Sequence, residues 1–261
     1  MSESLATYEL QPPAAIITLN RPEKRNALSR ALIDALYAAF SQAQAASEVR
    51  CVILTGAGKV FCAGMDLQEL AESLGDDGKE KVWDDALRLA KLYDLIYTLP
   101  KPTLAVVNGP AVAGGAGLVT VCDLALATPE AKFGYPEVRR GLVAAMVMPH
   151  LLRHVGERIG RYLLLTGELI DADEACRVGL INGVVPSGEI MNRARLWARS
   201  LAEGGPEALA KTKALLQQFS RQALSVEEAA KESAAPRLTR ECQEGLKAFF
   251  EKRPAPWAVT K

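Results

Sequence analysis

The sequence predicts an α/β protein that ends in a helical region, on two observations. Through the first 200 residues or so, short apolar runs bounded by turn residues alternate with stretches of helical periodicity, which is the pattern of strand, crossover and parallel strand. From about residue 188 onward only helices can be read, rich in Ala, Leu, Glu, Lys and Arg. The division expected is a core over 1–200 and a helical region over 201–261. That tail has apolar stripes but little core of its own, so it must pack on its own core domain or on a second subunit.

The first buried strand is read at Ala14–Leu19, followed by the turn-rich segment NRPEKRNALS. Ser29 then caps a helix over 30–46, where Leu32, Ile33, Leu36, Tyr37 and Phe40 share one face. Cys51–Thr55 is a second strand, stopped by GAGK. A polar stretch near 72–80 reads as a surface loop, and 81–98 as an amphipathic helix closed by Leu99-Pro100. Strand Thr103–Asn108, a Gly turn, a short helix near 114–122 and strand Leu124–Thr128 complete the readable core. Asp171 with Glu174, and Ser225 with Glu228, have the spacing of capping boxes.

Composition narrows the function. Lys plus Arg equals Asp plus Glu, 31 each, so nothing drives the chain onto nucleic acid or an anionic membrane. The five cysteines, Cys51, Cys62, Cys122, Cys176 and Cys242, are odd in number and contain no C-x-x-C; free thiols in a reducing compartment, the cytoplasm, fit best. The start MSESLATYEL lacks the pattern of a secretory signal. Residues 102–122 carry no charge, but Pro102, Pro110, Asn108 and the glycines break them too often for a membrane helix.

Three stretches can carry chemistry. In Gly58–Leu67, GKVFCAGMDL, a strand turns at Ala63-Gly64 into a helix starting near Asp66, and the free amides of such a start can bind an oxyanion; an ordinary strand–turn–helix joint is the competing reading. In Asn108–Asp123, the small residues 111 and 113–117 allow close approach to the backbone, and Gly114 and Gly115 open a helix with a second set of free amides; close helix–strand packing explains them equally. In Phe133–Gly141, FGYPEVRRG, Glu137 follows Pro136 in apolar surroundings. Desolvated there, it would have a raised pKa and move protons; paired with Arg139 or Arg140 on the surface, it would not. No G-x-S-x-G elbow, Walker A loop or G-x-G-x-x-G fingerprint occurs. His150 and His154 have i,i+4 spacing but no carboxylate beside them, so no metal site is expected.

Taken in order, ITLNRPEKRNALS (17–29), FCAGMDL (61–67), NGPAVAGGAGL (108–118) with CDLALAT (122–128), FGYPEVRRGL (133–142), LLTGELIDADEACRVGLINGVVP (164–186) and EGLKAFFEKRPAPW (244–257) resemble the crotonase, or enoyl-CoA hydratase/isomerase, superfamily across nearly the whole chain. The resemblance implies a spiral of ββα turns with a C-terminal helical region that builds trimers or hexamers. It implies an acyl-CoA substrate with no cofactor beyond the substrate's own coenzyme A. It places the oxyanion hole at the amides of Met65 and Gly114, and substrate or CoA contacts at Lys24, Arg25, Ala27, Ala63, Asp66, Leu67, Gly115, Pro136, Val143 and Lys252.

Hydratases of the family use two glutamates. Here one matches Glu137, while the other falls on Gly117, which has no side chain. Gly141–Pro149, GLVAAMVMP, also lacks the aspartate that other branches use. The resemblance therefore implies proton transfer by one glutamate, double-bond isomerisation first, with enoyl-CoA hydration or dehydration (2-enoyl or methylglutaconyl type) as the alternative. A non-catalytic acyl-CoA binder is the reading of another class.

Overall fold

The computed structural model describes residues 4–73, 78–219 and 225–255. Its elements in order are β1 (Ala6–Gln11), β2 (Ala14–Leu19), α1 (Arg30–Ala45), β3 (Cys51–Gly56), α2 (Leu67–Glu72), α3 (Gly78–Thr98), β4 (Thr103–Val107), β5 (Ala111–Val112), α4 (Gly114–Thr120), β6 (Leu124–Ala127), β7 (Lys132–Gly134), α5 (Met148–Thr166), β8 (Leu169–Asp171), α6 (Ala172–Arg177), β9 (Gly183–Val184), α7 (Ile190–Glu203), α8 (Pro206–Phe219), α9 (Val226–Ala234) and α10 (Arg240–Phe250).

Two layers of strands form. The larger sheet runs β1-β2-β3-β4-β6-β9, antiparallel at β1/β2 and parallel from there on. The smaller sheet is β5-β7-β8. It is extended by single parallel bridges, Leu28 with Met65 and Cys62 with Ala111. Four strands of the large sheet are each followed by a segment that enters the second layer: Leu28 after β2, Cys62–Met65 after β3, β5 after β4 and β7 after β6. This is a spiral of repeated turns, as the resemblance implied.

Alternation along the parallel strands divides the core. Ile16, Ile53, Leu104, Val106 and Leu126 face Ile190, Ala194 and Ala198 of α7. Ile17, Leu19, Val52, Leu54, Ala105 and Val107 face the opposite way, into the main core with α1 and α3. Ser29 caps α1 by accepting from the Leu32 amide at 3.2 Å. The tail packs on its own chain: Ala229, Ala230 and Ala234 of α9 join the main core, and Cys242 and Leu246 of α10 close on Leu70. All five cysteines are free thiols, and four are buried.

Several expectations are corrected. The loop read near 72–80 is narrower: α2 runs to Glu72 and α3 begins at Gly78, while 74–77 lie outside the described residues, as do Pro256 and Trp257 of the last motif. The Asp171/Glu174 box is half formed. Asp171 accepts from the Glu174 amide, but the Glu174 carboxylate is held by Arg177. Ser225 and Glu228 make the full reciprocal pair. The uncharged stretch 102–122 is β4, β5 and α4, and no helix among the described residues is long and apolar enough to cross a membrane.

Helix α8 is tied to the sheet by one buried charge. Lys213 Nζ donates to Asp123 Oδ2 at 2.6 Å and to the Lys101 carbonyl at 2.8 Å, and the same Asp123 oxygen accepts from the amide and hydroxyl of Thr103. Removing the carboxylate leaves the ammonium, 9% exposed, with the Lys101 carbonyl as its remaining acceptor. Asp123→Ala is expected to lower stability by about 3 kcal/mol, read as a fall in the urea midpoint at unchanged slope; a shift under ~0.5 kcal/mol would show that Lys213 finds water or another acceptor.

Candidate active site

The site is built where two turns leave neighbouring parallel strands. After β3 the chain turns at Gly64, whose φ of +90° belongs to glycine. A Cβ there would lie 2.9 Å from Ala113 Cβ, 3.0 Å from the Val112 carbonyl oxygen and 3.3 Å from the Gly114 nitrogen. The second turn, before α4, is therefore in van der Waals contact with the first. Ala113 pays for its place with φ 52° and ψ −125°, held by its amide donating to the Gly134 carbonyl at 2.8 Å.

The two expected amides are free. Leu28 donates to the Gly64 carbonyl and accepts from the Asp66 amide, so the bridge uses the residues flanking Met65 and leaves the Met65 N–H turned away from it. Neither Met65 nor Gly114 donates its N–H to any acceptor among the described residues, and both line one cavity of about 480 Å³ together with Glu137. That volume suits a small-molecule ligand.

Glu137 enters this cavity on a 3-10 turn, Pro136–Arg140, that follows β7. Its Oε2 is buried and has no hydrogen-bond partner. Desolvation pushes its pKa up to about 7, opposed by a hydrogen bond to its own backbone amide and by the charge of Arg140. The surface ion pair is therefore not what forms: Arg139 donates to the Thr166 carbonyl, and Arg140 donates to the Pro136 carbonyl and lies over the Phe249 ring.

The place of the missing glutamate is taken. A Cβ on Gly117 would lie 2.4 Å from the Tyr93 hydroxyl and 2.4 Å from Val147 Cγ1. Tyr93, from α3, lines the cavity and is 2% exposed. Its hydroxyl donates to the Gly114 carbonyl at 2.6 Å, so its lone pairs remain to accept. Burial, and the nearby Cys62 and Glu137, raise its pKa well above the ordinary phenol value.

Of the other expected contacts, Lys24, Arg25, Ala27, Ala63, Asp66, Leu67, Pro136 and Val143 line the cavity. Lys24 and Arg25 are exposed, on the loop after β2. That loop is pinned by the buried Asn26, whose side chain accepts from the Arg21 amide and donates to the carbonyls of Ala57 and Val60. The Asp66 carboxylate is engaged by Arg21 at 2.6 Å and caps α2 through the Gln68 amide; the hydrogen bonds and charge of Arg21 outweigh its desolvation and hold its pKa below the usual range.

Two expected residues are not brought to the cavity. Gly115 is packed against the strand behind it, where a Cβ would lie 2.2 Å from the Cys62 carbonyl oxygen, so its small size serves packing. Lys252 lies past the end of α10, and Phe249 and Phe250 line the cavity instead. Tyr93, Ser233 and Arg237 also line the cavity and were not expected there, and Arg140, which lines it too, was expected only as a surface partner of Glu137. Tyr93 was readable as one residue on an amphipathic helix face, and nothing local marks Ser233 or Arg237.

Both histidines are engaged by neighbouring groups. His154 Nε2 contacts the Thr120 carbonyl. His150 meets Arg153 and the Tyr97 ring, and burial pushes its pKa down to about 3. Among the described residues no group of three potential ligands converges.

Gly117→Glu is expected to cost stability, lowering the melting temperature by several degrees, and to create no efficient hydratase, because its side chain starts inside Tyr93 and Val147. A folded variant with a large gain in water addition would contradict this packing.

Comparison with known proteins agrees with the geometry. Residues 10–260 match the family model described as enoyl-CoA hydratase/isomerase. The chain is 45% identical over 244 residues to a Thermus thermophilus protein provisionally named enoyl-CoA hydratase, covering 92% of this chain and 95% of that one. It is 33% identical over 260 residues to the Escherichia coli 2,3-dehydroadipyl-CoA hydratase, covering 97% of each. A crystal structure of an enoyl-CoA hydratase from Mycobacterium avium superposes with a TM-score of 0.84 at 33% identity, covering 98% of this chain and all of that one. The spiral, the paired turns and these likenesses together establish that the chain belongs to the crotonase, or enoyl-CoA hydratase/isomerase, family of enzymes.

Proposed function

We propose that the protein moves a proton on an enoyl-CoA thioester, with the amides of Met65 and Gly114 holding the thioester oxygen and Glu137 as the base. The observation that carries this reading is the single carboxylate at the reacting end of the cavity. The other acids lining it are Glu23, exposed on the loop after β2, and Asp66, already ion-paired with Arg21.

With one base, the balanced step is isomerisation. The Glu137 carboxylate takes a proton from C2 of a 3-enoyl thioester. The electron pair delocalises to a dienolate whose negative charge rests on the thioester oxygen between the two amides. The protonated Glu137 then returns the proton to C4, leaving the 2-enoyl product. A base with a pKa of about 7 suits both halves. Lys24 and Arg25 supply positive charge for the CoA phosphates.

Hydration is a second reading, favoured by the Tyr93 oxygen, whose free lone pairs can orient a water beside Glu137. The names of the relatives also favour it. No cofactor is needed for either reaction. The free thiols support a reducing compartment such as the cytoplasm.

Incubation with 2-enoyl- and 3-enoyl-CoA separates the outcomes: bond migration without solvent oxygen means isomerase, water incorporation means hydratase, and binding without turnover means a binder. kcat/KM is expected to fall tenfold per pH unit below about pH 7, as Glu137 becomes protonated. Glu137→Gln should abolish turnover with CoA affinity within a few-fold. The folded carboxyl is raised from 4.5 to about 7, so its cost to stability grows as pH rises through that window and is complete above it. At pH 8 the Gln variant should be more stable by on the order of 1–3 kcal/mol. Unchanged turnover would remove Glu137 from the mechanism.

We further propose a homotrimer or hexamer. α5 and the turn after it expose Leu165 (70%), Leu169 and Tyr162, apolar area that a subunit contact would cover. Light scattering should give three or six chains; a monomer at micromolar concentration would contradict it.

A further inference from the structure

The cavity holds a cation whose charge nothing in the described chain neutralises by contact. Arg237 follows α9 in a 3-10 turn, is 4% exposed, and lines the cavity beside Ser233. Its Nη2 donates to Ser233 Oγ at 3.0 Å, but its Nη1 is buried without a partner. Among the described residues it makes no ion pair within 4 Å. The acid whose field reaches it is Asp85, and that carboxylate is committed: it accepts from Arg30 Nε at 2.6 Å, Arg30 Nη2 at 2.7 Å and Ser73 Oγ at 3.2 Å. A guanidinium stays charged in proteins, so burial cannot be relieved by losing the proton. A buried cation lacking a partner is costly and marks a place for an anion.

α3 gives the distance. Asp85, Leu89 and Tyr93 follow at i, i+4 and i+8 and so share one helix face. Tyr93 touches the Gly114 turn, where the thioester oxygen would sit. Asp85 marks the Arg237 end. Eight residues of helix separate these two, about 12 Å. Leu89 lies between them on α3 and lines the cavity, as do the apolar Leu70 and Leu142.

We propose that the acyl chain taken by this site ends in a carboxylate, the substrate being the monothioester of a dicarboxylic acid, with Arg237 and Ser233 receiving the distal carboxylate. The inference rests on the acyl-CoA reading above and names its substrate class. Arg237 Nη1 supplies the charged donor. Ser233, whose oxygen already accepts from Nη2, keeps its own hydrogen to donate. The apolar stretch accommodates the methylenes between the two ends.

The test uses saturated thioesters, which bind without reacting. Glutaryl-, adipyl- and suberyl-CoA are titrated calorimetrically against the methyl-ended acyl-CoA of equal chain length, with the wild type, Arg237→Met and Arg237→Lys. The wild type is expected to bind at least one carboxylate-ended thioester tenfold or more tighter than its methyl-ended match. Arg237→Met should invert that ratio and Arg237→Lys retain part of it, with methyl-ended binding changed less than threefold. Equal or tighter methyl-ended binding by the wild type at every length overturns the inference while leaving the acyl-CoA reading intact, as does an unchanged ratio in a folded Arg237→Met. Binding of neither series overturns the acyl-CoA reading and the inference with it. If Arg237→Met does not fold, the wild-type ratio decides alone.

Discussion

The contact between the Gly64 turn and the Ala113-Gly114 turn is the constraint on which the rest depends. β3 and β4 are adjacent and parallel, so the chain leaves both at the same edge of the sheet. The small layer then carries the two exits side by side: Phe61 and Cys62 donate to the Pro110 carbonyl, and Val112 donates to that of Cys62. Within this ladder any side chain at position 64 would push the turns apart. The strained backbone of Ala113 is held by the Gly134 carbonyl of β7. β7 in turn runs directly into the turn bearing Glu137. The same short strand therefore positions both the Gly114 turn and Glu137. On the proposed reading this site acts by preorganisation, with donors already aimed and no reorientation of protein dipoles required.

Around this centre the protein leaves polar groups unsatisfied where a folded chain ordinarily would not. Two amides, the Glu137 Oε2 and the Arg237 Nη1 all lack partners. Each costs stability in an apolar cavity, where the low dielectric that strengthens a made interaction also penalises an unmade one. Their signs differ by position. In the proposed reaction the donors meet the negative charge that develops on a thioester oxygen, the ionisable acceptor moves the proton, and the fixed cation lies toward the far end. Arg140 moderates the middle of this arrangement. Its charge works against the desolvation of Glu137, while its own guanidinium is stacked on Phe249. The balance leaves the Glu137 pKa raised to about 7.

The parts of this design that repeat locally were legible in the sequence. Strand β2 at Ala14–Leu19, the Ser29 cap and the Ser225/Glu228 box follow from short-range pattern, and their bounds agree closely with the structure. β1 was not legible because TYELQ mixes polar and apolar residues on a half-exposed strand held by antiparallel pairing with β2 and by packing of Ala6 and Tyr8 on the main core. β7, β8 and β9 are two or three residues long and exist through partners distant in sequence. In the site, Met65, Gly114 and Glu137 could be mapped because each lies inside a recognisable motif. Gly117 was legible only as an absence. That the absence is filled by a phenol from α3 depends on the packing of two helices, which no local pattern encodes. Gly115 shows the reverse: its place in a glycine run suggested a ligand contact, whereas the tight approach of the Cys62 carbonyl accounts for it.

The helical tail lines the cavity as well as packing on the core. Ser233 and Arg237 follow from α9, and Phe249 and Phe250 from α10, and all four line the cavity. α10 also clamps the turn that carries the base. A Cβ on Gly141 would meet the Cys242 amide nitrogen at 2.8 Å, and one on Gly245 would meet the Arg140 carbonyl oxygen at 2.7 Å. The desolvation that raises the Glu137 pKa is therefore partly supplied by residues more than a hundred positions later in the chain. The spiral presents the amides, but the tail closes the low-dielectric chamber in which those amides, and Glu137 with them, have their effect.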